Sequence, residues 1–436
     1  MRIHDIVFWI STFFLIGVAL GSLNVNGWLI TIIVLGIAGG KITYGFLKKN
    51  KKEIILGTLG FFILIGSFYF HIYTAATKEK VALDEKISFE GIIIKEPKQK
   101  IKVQELTFKL EPPLKGEITA YLDPYPEYHY GDKLKLEGII KKSSSSDRLI
   151  AGFPKVISKE GGYGNQFKEK LFTFKNKVLN VFRETLSPEE SALVAGLTFG
   201  EQSEFSERFK EALKGTGTSH IVALSGYNIT IVATVVSLLL GYFIKRQKAF
   251  YITILVIIGF VVMTGAEASI VRAAIMGIIA MLAMQSGRIY SFRNAIVIAA
   301  TVMVVVNPKV LLFDAGFQLS FAALLGIVYL KPYIDKLFRK NPETESTLNW
   351  KENLTTTLSA QLATMPIVWF TFKAVTPFAF IPNLLVLEAV PFTMALGFIT
   401  GFVGLWSYHL ALILSWPLKL LLEYEIQIIN LLSKIL

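Results

Sequence analysis

Polar side chains recur inside the apolar runs of this 436-residue sequence, and they are where chemistry could occur. His220, Ser225 and Asn228 fall in the first half of an apolar segment that starts near Ser219 and runs to Phe243. Glu267, Ser269 and Arg272 sit between two such segments. Asp314, Gln318 and Ser320 open another, Gln361 lies in the next, and Asn383 and Glu388 follow among prolines. Hydrocarbon offers these groups no water, so each must face protein or a wet cavity. An ionisable group there costs at least ~2.5 kcal/mol, so the charged members need a partner or hydration. Two readings compete: a polar path for something charged and hydrated, or interhelical hydrogen bonding and capping at span ends. Arg272 and Asp314 fall on adjacent outer halves, which permits an ion pair between them. Lys214-Gly-Thr-Gly-Thr-Ser219 precedes the first segment as a flexible entry, where a helix N-terminus would present N–H groups to an anion.

Enzymatic constellations are missing. Gly39-Gly40-Lys41 fails the spacing of a phosphate-binding P-loop. The five histidines are scattered, with no H-x-H or H-E-x-x-H pair to hold a metal. Ser225-Gly226 lacks the first glycine of a nucleophile elbow, so a hydrolase using Ser225 has no support from spacing. With no cysteine, disulfides, thiolate catalysis and Cys-ligated metals are excluded. The reading is of a non-enzyme with no catalytic residue, no metal and no cofactor.

The elements that must position the polar set are membrane spans. The sequence is 53% hydrophobic and 18% charged, with the apolar residues in long blocks, so it reads as a polytopic helical membrane protein of about ten to twelve spans. The net charge of +12 gathers in short loops at Lys48–Lys52, Lys245–Lys248, Arg288/Arg293 and Lys331–Lys340. That pattern sets topology and calls for no nucleic-acid partner by itself. It places the N-terminus in the cytoplasm and the chain beyond the third span outside. Pro377, Pro382 and Pro391 predict broken or re-entrant segments late in the chain.

Four regions follow: residues 1–75 with three spans, 76–160 as an extracytoplasmic β domain, 161–218 as amphipathic surface helices, and 219–436 as the channel-like part. In the second, alternation at Leu106/Phe108/Leu110, Ile118/Ala120/Leu122 and Leu134/Leu136 predicts about five short strands closing into an OB-like barrel. Tyr121, Tyr125, Tyr128 and Tyr130 form a candidate base-stacking platform, against which stands a tyrosine-rich loop packed on the barrel. In the third, an apolar stripe at Leu171, Phe174, Val178, Val181 and Phe182 predicts a helix lying along the membrane. Ser187-Pro188-Glu189-Glu190 reads as the start of a second helix, ending at Gly200.

Several ordered motifs over Ala192–Gly404 resemble the central domain of ComEC-type competence proteins. They are Ala192–Gly200 with Glu201-Gln202-Ser203; Thr216–Gly226; Ser269-x-x-Arg272-Ala273; Asn307-Pro308 with Phe313–Phe321; and Ala360–Pro366 followed by Pro382-Asn383. The resemblance implies a channel in the cytoplasmic (inner) membrane that admits single-stranded DNA during natural transformation. It implies that His220, Ser225, Arg272, Asp314, Gln318, Ser320, Gln361 and Asn383 line or build the path; Asn228, Glu267 and Ser269 join them as candidates. Asn228 stands where the family more often has histidine, and Glu267 adds a charge. Many members carry a metallo-β-lactamase-like nuclease domain, whose H-x-H-x-D-H ligands this sequence lacks, so a separate nuclease is expected. A cytoplasmic motor or strand-binding protein, an extracytoplasmic DNA receptor and membrane lipid complete the expected partners, in an oligomeric state the sequence leaves open. The alternative is a transporter for another polyanion or a small solute.

Overall fold

The computed structural model of the chain describes residues 3–23, 27–100, 102–142, 149–222, 224, 226–287, 289–338, 350–372 and 380–435. Among them, seven helices are long and apolar enough to cross a membrane: Ile3–Ser22, Gly27–Leu47, Lys51–Ala76, Ser219–Phe243, Arg246–Met263, Ala268–Gln285 and Ala315–Leu337. The chain is a multi-pass membrane protein. Seven is fewer than the ten to twelve expected, for local reasons. Phe292–Val306 and Val390–Gly404 are apolar but short. The run from Phe378 onward breaks at its prolines into Phe380–Val386 and Val390–Gly404. Pro377 lies outside the described residues.

The contacts divide the chain into two compact units, and neither is continuous in sequence. The first joins Met1–Thr77 to Ala268–Val375. Its helices are α1 (Ile3–Ser22), α2 (Gly27–Leu47), α3 (Lys51–Leu59) and α4 (Phe62–Ala76), then α11 (Ala268–Gln285), α12 (Phe292–Val306), α13 (Val310–Phe313), α14 (Ala315–Leu325), α15 (Lys331–Phe338) and α16 (Trp350–Phe372). α1 and α4 approach backbone to backbone. A Cβ on Gly17 would lie 2.0 Å from the Ile63 carbonyl oxygen, and one on Gly66 would lie 2.2 Å from that of Phe14. Val18, Phe70, Ala299, Val304, Phe317 and Phe321 belong to the core these helices share. A π-helical turn, Gly326–Leu330, continues α14 and presses on α16, where a Cβ on Gly326 would meet the Ser359 carbonyl oxygen at 2.5 Å.

The second unit joins Lys78–Glu267 to Thr376–Leu436. It opens with strands β1 (Lys86–Ile93), β2 (Lys98–Gln99), β3 (Gln104–Leu110), β4 (Glu117–Leu122), β5 (Lys133–Lys142), β6 (Leu149–Gly152) and β7 (Lys155–Glu160). Five of them close a ring in the order β1-β3-β4-β6-β5, and β1 pairs again with β5. β4 and β6 run parallel while the other pairs are antiparallel, the Greek-key arrangement of an OB-like barrel. The alternating residues predicted to face inward do so: Leu106, Phe108, Ile118, Ala120, Leu134 and Leu136 are fully buried.

Helices α5 (Gln166–Thr185), α6 (Pro188–Phe199), α7 (Glu207–Gly215), α8 (Ser219–Val222), α9 (Gly226–Phe243) and α10 (Arg246–Met263) follow. The unit closes with α17 (Phe380–Val386), α18 (Val390–Gly404) and α19 (Tyr408–Leu432). α6 starts as its sequence predicts, with Ser187 and Glu190 forming a capping box and Pro188 at the first position. The apolar stripe of α5 meets α18, where Gly401 and Gly404 leave room for Val178, Val181 and Phe182. Small residues on a neighbouring helix offer closer packing than lipid does.

One buried side chain shapes the barrel's long loop. Gln104 is fully buried, with Nε2 2.7 Å from the Asp123 carbonyl oxygen, 2.9 Å from that of Pro124 and 2.7 Å from that of Pro126. Its Oε1 accepts from the Tyr128 N–H at 3.3 Å. Gln104→Leu is expected to cost about 2–3 kcal/mol by stranding these groups. Melting of the purified protein in detergent, with proteolysis of residues 123–128, checks it; an unchanged melting temperature would show that the loop holds itself.

Candidate functional site

In the second unit the polar entry to α9 is fastened to α6. Gly200 ends α6 at φ +72°, a left-handed conformation that glycine adopts freely, and a Cβ there would sit 2.5 Å from Leu224 Cδ1. Asn228 is buried, and its Nδ2 donates to the Leu197 carbonyl at 2.7 Å, satisfying an acceptor in the last turn of α6. His220 is exposed, with Nδ1 3.0 Å from the Gly217 carbonyl oxygen. The N–H groups of Thr216, Gly217 and Thr218 donate to Ala212, Lys214 and Leu213, closing the end of α7. Ser225 lies outside the described residues. Asn383 is buried on α17, where its Oδ1 has no hydrogen-bond partner among the described residues.

The strongest electrostatic feature of this unit is one the sequence reading missed. Lys175 on α5 is 4% exposed, with Nζ 2.7 Å from Glu96 Oε2, in the loop after β1, and 3.1 Å from Glu201 Oε2, just after α6. Ser203 donates to Glu201 from its hydroxyl at 2.6 Å and from its N–H at 3.3 Å. Burial works against every charge here. For Lys175 it is outweighed by the two carboxylates, which hold the ammonium above its ordinary pKa. Glu201 also overcomes its burial, through Lys175 and Ser203, and lies below the ordinary value. For Glu96 burial wins, and its pKa is raised. The missed signal is position: residue 175 shares the helix face of Leu171, Val178 and Phe182, so a lysine there interrupts an apolar stripe. A second missed carboxyl is Glu425 on α19, 1% exposed, whose Oε1 accepts from the Thr393 hydroxyl at 2.6 Å.

In the first unit, Arg272 on α11 reaches α14, the helix that Asp314 precedes and that carries Gln318 and Ser320. Asp314 caps α14, its Oδ1 accepting the Phe317 N–H at 2.8 Å. Gln318 Nε2 donates to the Leu312 carbonyl at 2.8 Å. Arg272 Nη1 donates to the Ser320 carbonyl, and the guanidinium lies over the Phe321 ring, 5.9 Å from its centre. An Arg272–Asp314 ion pair is therefore absent among the described residues. The cap claims the carboxylate, and a main-chain carbonyl holds the arginine. Gln361 is half-buried on α16, which packs against α14, while Ser269 is half-buried in the first turn of α11 and Glu267 is exposed just before it.

The four tyrosines do not share a surface. Tyr128 belongs to the barrel core, with Lys159 Nζ 5.2 Å from its ring centre. Tyr130 stacks edge-on against Phe172 of α5 at 5.2 Å. Tyr125 is exposed, and Tyr121 is partly covered, with Lys100 Nζ 5.8 Å from its ring. The alternating burial of β4 and the packing of the barrel on α5 separate them. No group of three or more His, Asp or Glu among the described residues is placed to hold a metal ion.

A membrane bundle carrying a five-stranded barrel, with polar residues set into its spans, defines a class of multi-pass membrane protein with a soluble insert. Residues 197–436 match the family described as Competence protein, and the chain belongs to that family. It is similar to ComE operon protein 3 of Bacillus subtilis (strain 168), 27% identical over 237 residues. That match covers 54% of this chain and 29% of the relative, so the chain spans well under half the relative's length. No solved structure matches the chain.

The triad yields a prediction with a sign for each side of neutrality. Lys175, with a raised pKa, stabilises below its ordinary value of 10.5, and that contribution is lost as pH climbs through the raised one. Glu201, with a lowered pKa, stabilises above its ordinary 4.5, and that is lost as pH falls through the lowered one. Glu96 opposes the acid loss, because its raised pKa favours the folded state as pH drops below that value. Lys175→Met should cost about 3–5 kcal/mol by leaving two buried carboxylates uncompensated. Adding Glu96→Gln and Glu201→Gln should recover most of that loss in melting curves taken from neutral to alkaline pH. If the lysine variant alone melts like the parent, the triad does not hold the barrel to the helices.

Proposed function

We propose that the chain forms the membrane part of the path by which single-stranded DNA enters the cytoplasm during natural transformation. The observation that carries the reading is the family match over residues 197–436, which overlies the polar side chains set into membrane-length helices. His220, Ser225, Asn228, Glu267, Ser269, Arg272, Asp314, Gln318, Ser320, Gln361 and Asn383 are the residues we assign to lining or building that path. Several of them, Asn228 and Asp314 in particular, serve by holding helix ends in place.

The physics of the cargo suits this set. A single strand is a polyanion with stackable bases, and conduction needs sites weak enough to release it. Scattered amides, hydroxyls and one guanidinium meet that requirement better than a dense basic clamp. On this reading the protein sits in the cytoplasmic membrane with its N-terminus inside and the barrel outside. Exposed Tyr125 and partly covered Tyr121 are left as the barrel's candidate stacking residues. A motor or strand-binding protein pulls, and a receptor delivers DNA.

Uptake of fluorescently labelled DNA into the cytoplasm, compared in cells with and without this chain, tests the proposal. Label should stay outside when the chain is deleted, with solute uptake and growth unchanged. Normal internalisation in the deletion strain, or a defect confined to a small solute, would reject DNA as the cargo.

A further inference from the structure

Two cations are drawn into the helical parts of this protein, and they are treated differently. Lys175 is matched by two carboxylates. Arg272, one turn into the membrane-length helix α11, is matched by none among the described residues. Its contacts are the Ser320 carbonyl and the Phe321 ring, and the Asp314 carboxylate is taken up by the cap of α14. A guanidinium stays charged across the physiological range, and neither a carbonyl nor a ring neutralises it. Taking such an ion from water without a counter-charge costs several kcal/mol. A stranded cation in a membrane helix is therefore a functional site by default.

The polar atoms around it are also incomplete. Arg272 Nε is buried with no hydrogen-bond partner. So is Ser320 Oγ, on the same residue whose carbonyl receives Nη1. An interior arranged only for packing would let that hydroxyl bond back to its own helix, as those of Thr355, Ser359 and Thr364 do or nearly do on α16. Instead one donor edge of Arg272 and the hydroxyl of the residue that receives its Nη1 are both left without an acceptor. Arg272 as a whole is only half-buried, so part of the side chain is not enclosed by the protein.

We propose that Arg272 and Ser320 form a phosphodiester site, the guanidinium fork donating to the non-bridging oxygens and the Ser320 hydroxyl donating beside it. The proposal rests on the reading of the chain as a DNA path and names the contact that path makes with the strand's backbone. Planar, two-pronged donation suits a phosphodiester better than a point charge does. A single contact of this kind, without a second basic residue, binds weakly enough to let successive phosphates pass. A phospholipid headgroup offers the same chemistry, so the test must separate strand from lipid.

The experiment measures binding of a fluorescent oligothymidylate to the purified full chain over a series of KCl concentrations. It is run in detergent free of phospholipid and again in nanodiscs of zwitterionic or anionic lipid. Arg272→Gln should weaken binding about 10-fold. It should also flatten the slope of log Kobs against log salt by about 0.7, the share of one phosphate on a single strand. Arg272→Lys should keep the slope while losing part of the affinity, and Ser320→Ala should lower affinity at unchanged slope. A general loss of fold would not move the slope selectively, and melting temperatures identify any variant that misfolds, in which case Arg272→Lys and Ser320→Ala carry the result. If the parent binds and Arg272→Gln leaves affinity and slope unchanged, the assignment fails while the DNA path stands. If Arg272→Gln loses only co-purified or added anionic phospholipid, the site belongs to lipid and the strand assignment is overturned. A parent chain that neither binds the oligonucleotide nor supports DNA uptake removes both.

Discussion

Compensation of charge in places that water does not reach is the constraint on which the rest of this protein depends. Lys175 is the plainest case: an ammonium 4% exposed, held by Glu96 from the barrel and Glu201 from the turn after α6. Each partner comes from a different element, so a barrel and two helices that are distant in sequence acquire a shared anchor. Removing the lysine leaves two carboxylates without their counter-charge, which is far costlier than the net worth of the contacts. Glu201 is held in turn by Ser203, so the turn after α6 is stiffened as well. The same turn ends at Gly200 against Leu224, and Asn228 reaches back to Leu197. Docking of the barrel and the entry to α9 are thus parts of one structure.

The membrane-embedded polar groups follow a looser version of the same rule. Asp314 and Gln318 are satisfied by main-chain groups of their own stretch, the first by capping and the second by reaching Leu312. Arg272, Ser320 and Asn383 retain buried atoms without hydrogen bonds. Natural proteins rarely leave such atoms without a reason, and the DNA path proposed above supplies one. Broken elements accompany them. α8 is four residues long, a π-helical turn follows α14, and α18 restarts with Pro391 in its first turn after the break from α17. The π-helical turn is placed beside protein rather than left to lipid, with Gly326 against Ser359.

Much of this could be read from residue order because it is local. The alternation of Leu106, Phe108 and Leu110 has a period of two and fixes which face of β3 is buried. Ser187-Pro188-Glu189-Glu190 contains the whole cap of α6, and the left-handed Gly200 that ends it is the residue type such a turn requires. The first spans are readable because a bilayer demands about 20 apolar residues whatever their neighbours are. Where apolar runs are interrupted, as at Phe292–Val306 and Val390–Gly404, hydropathy does not say whether a short run crosses or folds back.

The candidate site divides along the same line. Sequence by itself determined that this is a polytopic membrane chain with a small barrel, that polar residues sit in its spans, and which family those residues resemble, because composition, period and local motifs are properties of neighbouring positions. Tertiary structure alone decided the partners. It took Asp314 from Arg272 and gave it to the Phe317 N–H, scattered the four tyrosines over core, helix contact and surface, and set Lys175 between two glutamates 79 and 26 residues away. A pairing over such separations depends on which surfaces the folded chain brings within a few ångströms, and no local pattern carries that distance.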